Sequence, residues 1–398
     1  MMRHLSDTVT RIPESQTIAL TATARRLAEA GVDVISLTAG EPDVPPAPHV
    51  KAAAVEAVGA NSSRYAPNEG IHELLEAIRW KFSTCNHLSF GMDQILVSSG
   101  AKQSIFNALL AVCGPGDEAI IVAPYWVSYP AMVRLTGAMP VVVKTRMEEG
   151  FLPDPELLRA SIRSHTKALI LNSPGNPSGR VYPTSLLEEI AGIVRETGIY
   201  LISDEIYERV VYDGRTHVSI GSLEGMSEQV VTVSGLSKAH AMPGWRIGYM
   251  GGPAPVVSAA ARVQSQTTGH ANTIAQRAAV AALRGPQQSV EAMVAAFQHR
   301  RDRVSEMLAR EPKITTITPD GAIYFFLRIT PFLGRRHNGN LVRSSDDLAH
   351  YLLAEHHVAV VPGSAFGDDD CLRLSFSVPE ETLLNGVKRI LEGLGQLR

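Results

Sequence analysis

The chain has 398 residues, of which 45% are hydrophobic and 19% are charged, and its formal net charge is −3. That length suits two or three domains, or one large α/β domain with a smaller one attached, and the composition is ordinary for a packed globular protein. Since no long basic run is present, we expect neither nucleic acid nor an anionic membrane as a partner.

The spacing of cysteine and histidine argues against a disulfide framework or a metal site. Cys85, Cys113 and Cys371 are scattered, which fits a reducing compartment, and the histidines show no ligand spacing. The N-terminus lacks the apolar core of a signal peptide, and no apolar run approaches the ~20 residues that span a bilayer. We therefore expect a cytoplasmic protein without metal.

The first part of the chain predicts, in order, a polar arm, a helix, a strand and two further helices: residues 1–16, 18–30, 34–37, 49–58 and 71–82. Such an arm packs on something else, and a partner subunit is one candidate. The strand leads to Gly40, where glycine allows close approach of the backbone to a ligand, although a turn is the simpler explanation. Tyr65 lies in an exposed loop between the two later helices.

From about residue 95, apolar strands alternate with helices. The predicted strands are 95–97, 119–122, 141–143, 168–171, 200–203, 230–233 and 247–250, and the helices between them include 104–112 and 186–196. Polar or aromatic candidates follow several of these strands, at the carboxyl ends where open α/β sheets bind ligands. The pattern predicts a mostly parallel, doubly wound sheet with a site along that edge.

The candidates at these strand ends have simpler explanations when each is taken alone. A turn with Gly100 and Ala101 opens a helix and suits a phosphate, though many such turns look alike. Trp126 offers a flat face for a ring or fills a core. Asn176 is held in a turn with two prolines and two glycines, and Asp204 suits a ligand or a helix N-cap.

Lys238 and Arg246 lie in a Ser- and Gly-rich stretch that follows the strand over 230–233. A lysine at such a position can be a nucleophile toward a carbonyl, and an arginine beside glycines suits a phosphate dianion. Together they suggest pyridoxal phosphate, which needs an amine and an anion cradle. A surface loop explains this stretch equally well by itself.

The C-terminal part predicts a long linking helix over 286–310 and then a smaller α/β unit. Its strands are predicted over 322–327, 358–361 and 372–375, and its helix over 345–355. Arg373 alternates with apolar neighbours, so it either faces an edge or directs a buried guanidinium at a carboxylate.

Nearly the whole chain, from about Ser15, resembles the class I pyridoxal-phosphate aminotransferases of fold type I, and within them the aspartate and aspartate/prephenate aminotransferases. The resemblance rests on LTAGEPD at 37–43, Tyr65, PYWVSY at 124–129, NSPGNPSG at 172–179, SDEIYE at 203–208, the stretch 234–248 and VPG at 361–363. It implies a large doubly wound α/β domain, a smaller α/β domain built from both chain ends, and an arm: residues 48–290, residues 17–47 with 291–398, and residues 1–16.

The resemblance also implies roles for the candidates. Lys238 would bond covalently to the cofactor and then move the substrate's α-proton, and Asp204 would pair with the protonated ring nitrogen. Asn176 and Tyr207 would bind the ring's hydroxyl oxygen, and Trp126 would stack on the ring. The cofactor phosphate would be held by Gly100, Ala101, Ser237 and Arg246, with Lys102 beside it and Tyr65 reaching in from the partner subunit of a homodimer.

For the substrate, Arg373 would bind the α-carboxylate, assisted by the Gly40 backbone and Asn176. Lys102 matches a residue that binds a side-chain carboxylate, and Thr17 matches a position that accompanies prephenate use. Thr17 could equally be an N-cap, and Lys102 could be solvated. The pair favours transamination between aspartate or glutamate and 2-oxo acids, with prephenate as a further acceptor that gives arogenate.

Three positions depart from the family pattern. Pro243 stands where Thr is usual, His240 where Phe is common, and Gly235 where some relatives place a phosphate-binding Ser. The alternatives are an aminotransferase for aromatic amino acids or alanine, a lyase on the same fold, and a non-catalytic regulatory module. Such a module carries a DNA-binding domain ahead of the fold, whereas here the resemblance begins within the first twenty residues or so.

Overall fold

The structure, a computed structural model, describes residues 6–10, 12, 16–60, 62 and 64–398. Its helices are α1 (Asp7–Thr10), α2 (Gln16–Glu29), α3 (Pro48–Gly59), α4 (His72–Asn86), α5 (Ala101–Val112), α6 (Tyr129–Leu135), α7 (Pro155–Ser161), α8 (Thr184–Thr197), α9 (Ala254–Thr267), α10 (Thr273–Arg284), α11 (Gln288–Leu308), α12 (Ser345–His356) and α13 (Glu380–Gln396). Its strands are β1 (Ile35–Ser36), β2 (Ile95–Ser98), β3 (Glu118–Ala123), β4 (Met139–Lys144), β5 (Thr166–Asn172), β6 (Tyr200–Asp204), β7 (Val230–Gly235), β8 (Gly248–Gly251), β9 (Thr315–Thr316), β10 (Tyr324–Arg328), β11 (Arg336–His337), β12 (Asn340–Leu341), β13 (Val358–Ala359), β14 (Val361–Pro362) and β15 (Cys371–Ser375).

A seven-stranded sheet in the order β2-β8-β7-β6-β5-β3-β4 forms the centre of the molecule. Neighbouring strands are parallel except at β8, which is antiparallel to both β2 and β7. Successive side chains pack on opposite faces: Ile120 joins the apolar cluster of Leu187 on α8, and Ile121 joins that of Leu109 on α5. The predicted doubly wound, mostly parallel sheet is confirmed. Its inner strands are largely apolar because both faces are buried, whereas the edge strand β4 is partly exposed.

A second unit combines both ends of the chain. β14, β15, β10 and β9 form an antiparallel sheet, and β1 pairs in parallel with β13 through Ile35 opposite Val358. Its core includes Phe297 of α11 and Leu383 of α13. Because Arg373 of β15 bonds to Asn176, which follows β5, this unit meets the carboxyl edge of the large sheet.

The predicted strands and helices are present with bounds that differ by a few residues. The strand predicted over 358–361 instead forms β13 and β14, because the chain leaves β1 at Val360 and joins β15. The sequence prediction lacks α1, α6, α7, α9, α10 and α13. The buried face of α10 is largely alanine, whereas that of α9 combines Val256, Val257 and Gln264 with two alanines; both helices are amphipathic, so the helical period was present in the sequence and the prediction missed it. None of the helices in the described ranges is long and apolar enough to cross a membrane.

Candidate active site

A cavity of about 370 Å³ lies at the carboxyl edge of the large sheet. Its lining includes most of the residues that the sequence predicts for the site: Gly40, Ala101, Lys102, Trp126, Asn176, Asp204, Tyr207, Ser237, Lys238, Arg246 and Arg373. These come from the start of α5, from the end of β6, from β15 and from the loops that follow β1, β3, β5, β6 and β7. The cavity forms because parallel strands end at the same edge and the second unit lies beside it.

Asp204, the last residue of β6, presents a buried carboxylate to the cavity. The hydroxyl of Tyr129 donates to its Oδ2 at 2.6 Å, and the backbone N–H of Ile206 donates to its Oδ1 at 3.2 Å. Burial raises the pKa of Asp204 to about 6, although both donors oppose this rise. The carboxylate is therefore held in place in a setting that favours a cationic partner.

Lys238 lies three residues after the end of β7 and reaches the cavity from there. Its Nζ donates to the backbone oxygen of Gly40 and lies 5.6 Å from the ring centroid of Tyr207. The hydroxyl of Tyr207 is 2.7 Å from that of Tyr324 on β10. The amine is thus available at the cavity, with no carboxylate paired to it among the described residues.

Arg373 is a buried arginine with spare hydrogen-bonding capacity. Its Nη1 donates to Asn176 Oδ1 at 3.0 Å and its Nη2 to the Thr38 oxygen at 2.8 Å. The guanidinium stacks 4.4 Å from the ring centroid of Tyr324, and its Nε is buried without a partner. Burial lowers the pKa of Arg373. A buried guanidinium of this kind can receive a carboxylate.

The turn at the start of α5 is built for an anion. Gly100 precedes the helix with φ of 91°, and a Cβ there would collide with the guanidinium of Arg246. Arg246 donates to the backbone oxygens of Ser99 at 3.3 Å and Pro243 at 2.8 Å. Helix N–H groups and a cation thus converge, which suits a phosphate.

Lys102 extends from the same turn toward the ring of Trp126, with its Nζ 4.8 Å from the ring centroid. Burial of the amine and the nearby charge of Arg246 lower the pKa of Lys102. Trp126 packs edge-on against Tyr129, with 5.4 Å between ring centroids. The cavity therefore offers an aromatic face and a second cation in addition to Arg373.

Two of the predicted residues, Gly100 and Tyr65, do not line the cavity. Gly100 lies just behind it, against Arg246. Tyr65 is 98% exposed and packs edge-on against His270 at 5.8 Å. Thr17 belongs to the first turn of α2, and its side chain lies outside the described part of the structure.

The sequence prediction misses three residues that shape the site. Tyr129 donates a hydrogen bond to Asp204, and Tyr324 shares a hydrogen bond with Tyr207. The Nδ2 of Asn172 donates to the Asp204 backbone oxygen at 2.9 Å. Tyr129 and Asn172 lie within motifs noted above, so a sequence signal existed. Tyr324 carries no such signal, because only the pairing of β10 with β15 brings it near.

The departures from the family pattern have local explanations. A Cβ on Gly235 would lie 2.9 Å from the Ile247 oxygen, so a serine has no room there. Pro243 begins a short 3-10 turn and lines the cavity. Burial, reinforced by the charge of Arg209, lowers the pKa of His240 to about 4, so its imidazole is neutral at neutral pH.

The donor set fits pyridoxal phosphate, with an amine, a carboxylate for a ring nitrogen, an aromatic face and an anion turn in one cavity. Among the described residues no group of three His, Cys, Asp or Glu is placed to hold a metal ion. The arrangement can bind a phosphorylated ring and an amino acid side by side.

Known proteins resemble the chain over almost its full length. Residues 32–390 match the family model described as aminotransferase class I and II. A bifunctional aspartate aminotransferase and glutamate/aspartate-prephenate aminotransferase of Petunia hybrida is 46% identical over 98% of this chain and 82% of its own. An aspartate/prephenate aminotransferase of Cereibacter sphaeroides is 43% identical over 98% of both chains.

Solved structures give the same likeness in three dimensions. The aspartate aminotransferase of Rhizobium meliloti superposes with a TM-score of 0.96 at 38% identity, covering 100% of both chains. The aspartate aminotransferase of Thermus thermophilus with maleate superposes with a TM-score of 0.92 at 42% identity, covering 98% of this chain and 100% of its own.

Proposed function

Since the chain belongs to the class I and II aminotransferase family, we propose that it moves an amino group between L-aspartate or L-glutamate and 2-oxo acids, and that it accepts prephenate to give arogenate. The observation that carries the proposal is one cavity that joins the amine of Lys238, the carboxylate of Asp204 and the guanidinium of Arg373. The names of the relatives from Petunia and Cereibacter favour aspartate and prephenate as substrates.

Pyridoxal phosphate, when bound, supplies the electron sink that allows an amino acid to lose its α-proton. Asp204 would hold the ring nitrogen in its protonated form, and Trp126 would support one face of the ring. Arg246, Ser237 and the N–H groups at the start of α5 would hold the phosphate. Their convergence on one cavity supports this assignment.

Arg373 would bind the substrate α-carboxylate and orient it with Asn176, to which it already donates at 3.0 Å. Lys238 would take the α-proton and return it to the product. Lys102 would bind the side-chain carboxylate of aspartate or glutamate, since its amine lies across the face of Trp126. The two cations thus suit a dicarboxylic substrate.

The test is a set of half-reactions with purified protein loaded with pyridoxal phosphate. We expect L-aspartate and L-glutamate to convert the bound cofactor to pyridoxamine phosphate, L-tyrosine to do so less efficiently, and prephenate to reverse the conversion. Absorbance spectra and identification of arogenate would measure this. Failure of L-aspartate to convert the cofactor would refute the proposal.

Lys238→Ala should abolish turnover and the borohydride-reducible absorption, because Lys102, the other amine among the described residues of the cavity, lies at the start of α5 against Trp126 and is assigned to the substrate. Lys144→Ala, at the exposed end of β4, is the matched control and should keep both. Homodimeric assembly and a cytoplasmic location remain part of this proposal.

A further inference from the structure

The segment Asp204–Glu208 sends side chains in two directions. Asp204 and Tyr207 line the cavity. Glu205 and Glu208 point away from it, yet Glu205 is fully buried and only 8% of the Glu208 side chain is exposed. The proposed reaction has no use for these two acids, so their burial requires another explanation.

Glu205 accepts hydrogen bonds from three elements behind the site. Ser203 of β6 and Ser219 donate to its Oε1, each at 2.8 Å. The Nε2 of His217 lies 2.9 Å from its Oε2, and the Nδ2 of Asn86 lies 3.4 Å from the same oxygen.

Glu208 is tied to α4 and β7. Lys81 forms an ion pair with its Oε1, and Ser234 donates to the same oxygen at 2.6 Å. Asn86 donates to its Oε2 at 2.6 Å and so bridges both glutamates. Burial opposes the charge of Glu208, but Lys81, His217 and these donors together lower its pKa to about 2.

This buried acid cluster, defined as Glu205, Glu208, Lys81, Asn86 and His217, is not explained by stability. Removing charges from water is unfavourable, and well-packed apolar residues in place of a buried ion pair often give equal or greater stability. The hydrogen bonds to Glu205 and Glu208 are directional, so they hold the backbone between residues 204 and 208 in one conformation. None of the five residues lines the cavity.

We propose that the buried acid cluster is a positioning device that fixes Asp204 and Tyr207 in the geometry that the bound cofactor requires. The inference rests on the proposed function, since it assigns the cluster to the pyridoxal phosphate site. Residues that orient a functional group from behind typically change affinity or activity about 10- to 100-fold when they are altered.

The decisive variant is Lys81→Met with Glu208→Met, which removes both charges of the ion pair and leaves neither unpaired. We expect the protein without cofactor to unfold within a few degrees of the wild-type temperature, because apolar packing offsets loss of the ion pair while Ser234 and Asn86 lose an acceptor. We expect its dissociation constant for pyridoxal phosphate to rise about tenfold or more, and the pH midpoint of the bound cofactor's visible absorption band to shift. Both readouts are independent of turnover.

Ser234→Ala is the milder variant, because it deletes one donor to Glu208 without a charge. It should weaken cofactor binding several-fold while the unfolding temperature stays close to wild type. Ser305→Ala on α11 is its control, since that buried hydroxyl has no hydrogen-bond partner among the described residues and lies outside the cavity lining. It should leave cofactor affinity and spectrum unchanged.

A double variant that folds with wild-type affinity and spectrum would overturn the inference and leave the proposed function intact. If the double variant does not fold, wild-type affinity and spectrum in Ser234→Ala would overturn it instead. If wild-type protein binds no pyridoxal phosphate, the proposed function fails and this inference fails with it.

Discussion

Asp204 shows how the role proposed for a single residue comes at the expense of stability. Its carboxylate is buried, and Tyr129 and the Ile206 N–H only partly offset the loss of solvation. Burial raises its pKa from 3.8 to about 6 in the free protein. Between these values the folded protein binds more protons than the unfolded chain, so this residue makes stability fall as pH rises.

Asp204→Asn should therefore stabilise the cofactor-free protein at neutral pH. A shift of about 2 pKa units corresponds to about 2 to 3 kcal/mol, gained progressively between about pH 4 and pH 7. Urea unfolding of both proteins across that range would measure it. A difference in unfolding free energy that does not change with pH would contradict this account.

Arg373 and Lys102 should contribute to binding in different ways. Arg373→Lys loses the fork that holds Asn176 and the Thr38 oxygen, so kcat/KM should fall for every amino acid.

Lys102→Ala should lower kcat/KM about tenfold or more for aspartate and glutamate but little for alanine. Equal losses for dicarboxylic and neutral substrates in Lys102→Ala would exclude its proposed role.

At the scale of elements, the site depends on how closely β8 approaches the start of α5. Gly248 of β8 faces the backbone of Gly100 and Ala101, and any Cβ there would collide with both. Antiparallel pairing of β8 with β2 and β7 fixes this approach. The anion turn is therefore set by strand packing as well as by its own sequence.

Gly248→Ala should destabilise the protein by about 2 to 4 kcal/mol and weaken phosphate binding, because β8 and α5 must separate. Gly244→Ala is the matched control in the same stretch, since a Cβ there meets nothing within 4 Å. Its unfolding free energy should stay within about 1 kcal/mol of wild type. Comparable losses in both variants would contradict the packing argument.

For the whole molecule, we propose that residues 17–47 with 291–398 form one domain and 48–290 the other. The pairing of β1 with β13, which joins the two ends of the chain, supports this division, and the apolar cluster of Phe297 crosses the boundary through Tyr207 and Tyr212. Lys238 and Arg373 would then lie on different domains, and the cavity that both residues line would lie between the two domains.

Tyr65 supports the proposal that active sites are shared between subunits. Its side chain is 98% exposed in the single chain and is therefore accessible to a partner subunit. Tyr65→Ala and Lys238→Ala should each have little activity. When subunits of the two variants are mixed and reassembled, about a quarter of wild-type activity should return, because half of the dimers are hybrids with one native site. No recovery in verified hybrids would rule out a shared site.

The sequence by itself determined the alternation of strands and helices and the positions of Lys238, Asp204, Asn176 and Arg246. These follow from local patterns, and parallel strands bring their carboxyl ends to one edge whatever the details of packing. The prediction missed α9 and α10 although the buried residues of both helices recur with the helical period, so the sequence determined these helices as well.

Only the tertiary structure decided which groups hold those residues in place. Tyr324 meets Tyr207, Arg373 meets Asn176, and Lys81 and Asn86 meet the glutamates behind the site. Each contact joins residues more than 100 positions apart in the chain. Such pairs form where elements pack, and no local pattern of residues specifies which distant side chain will fill the neighbouring space.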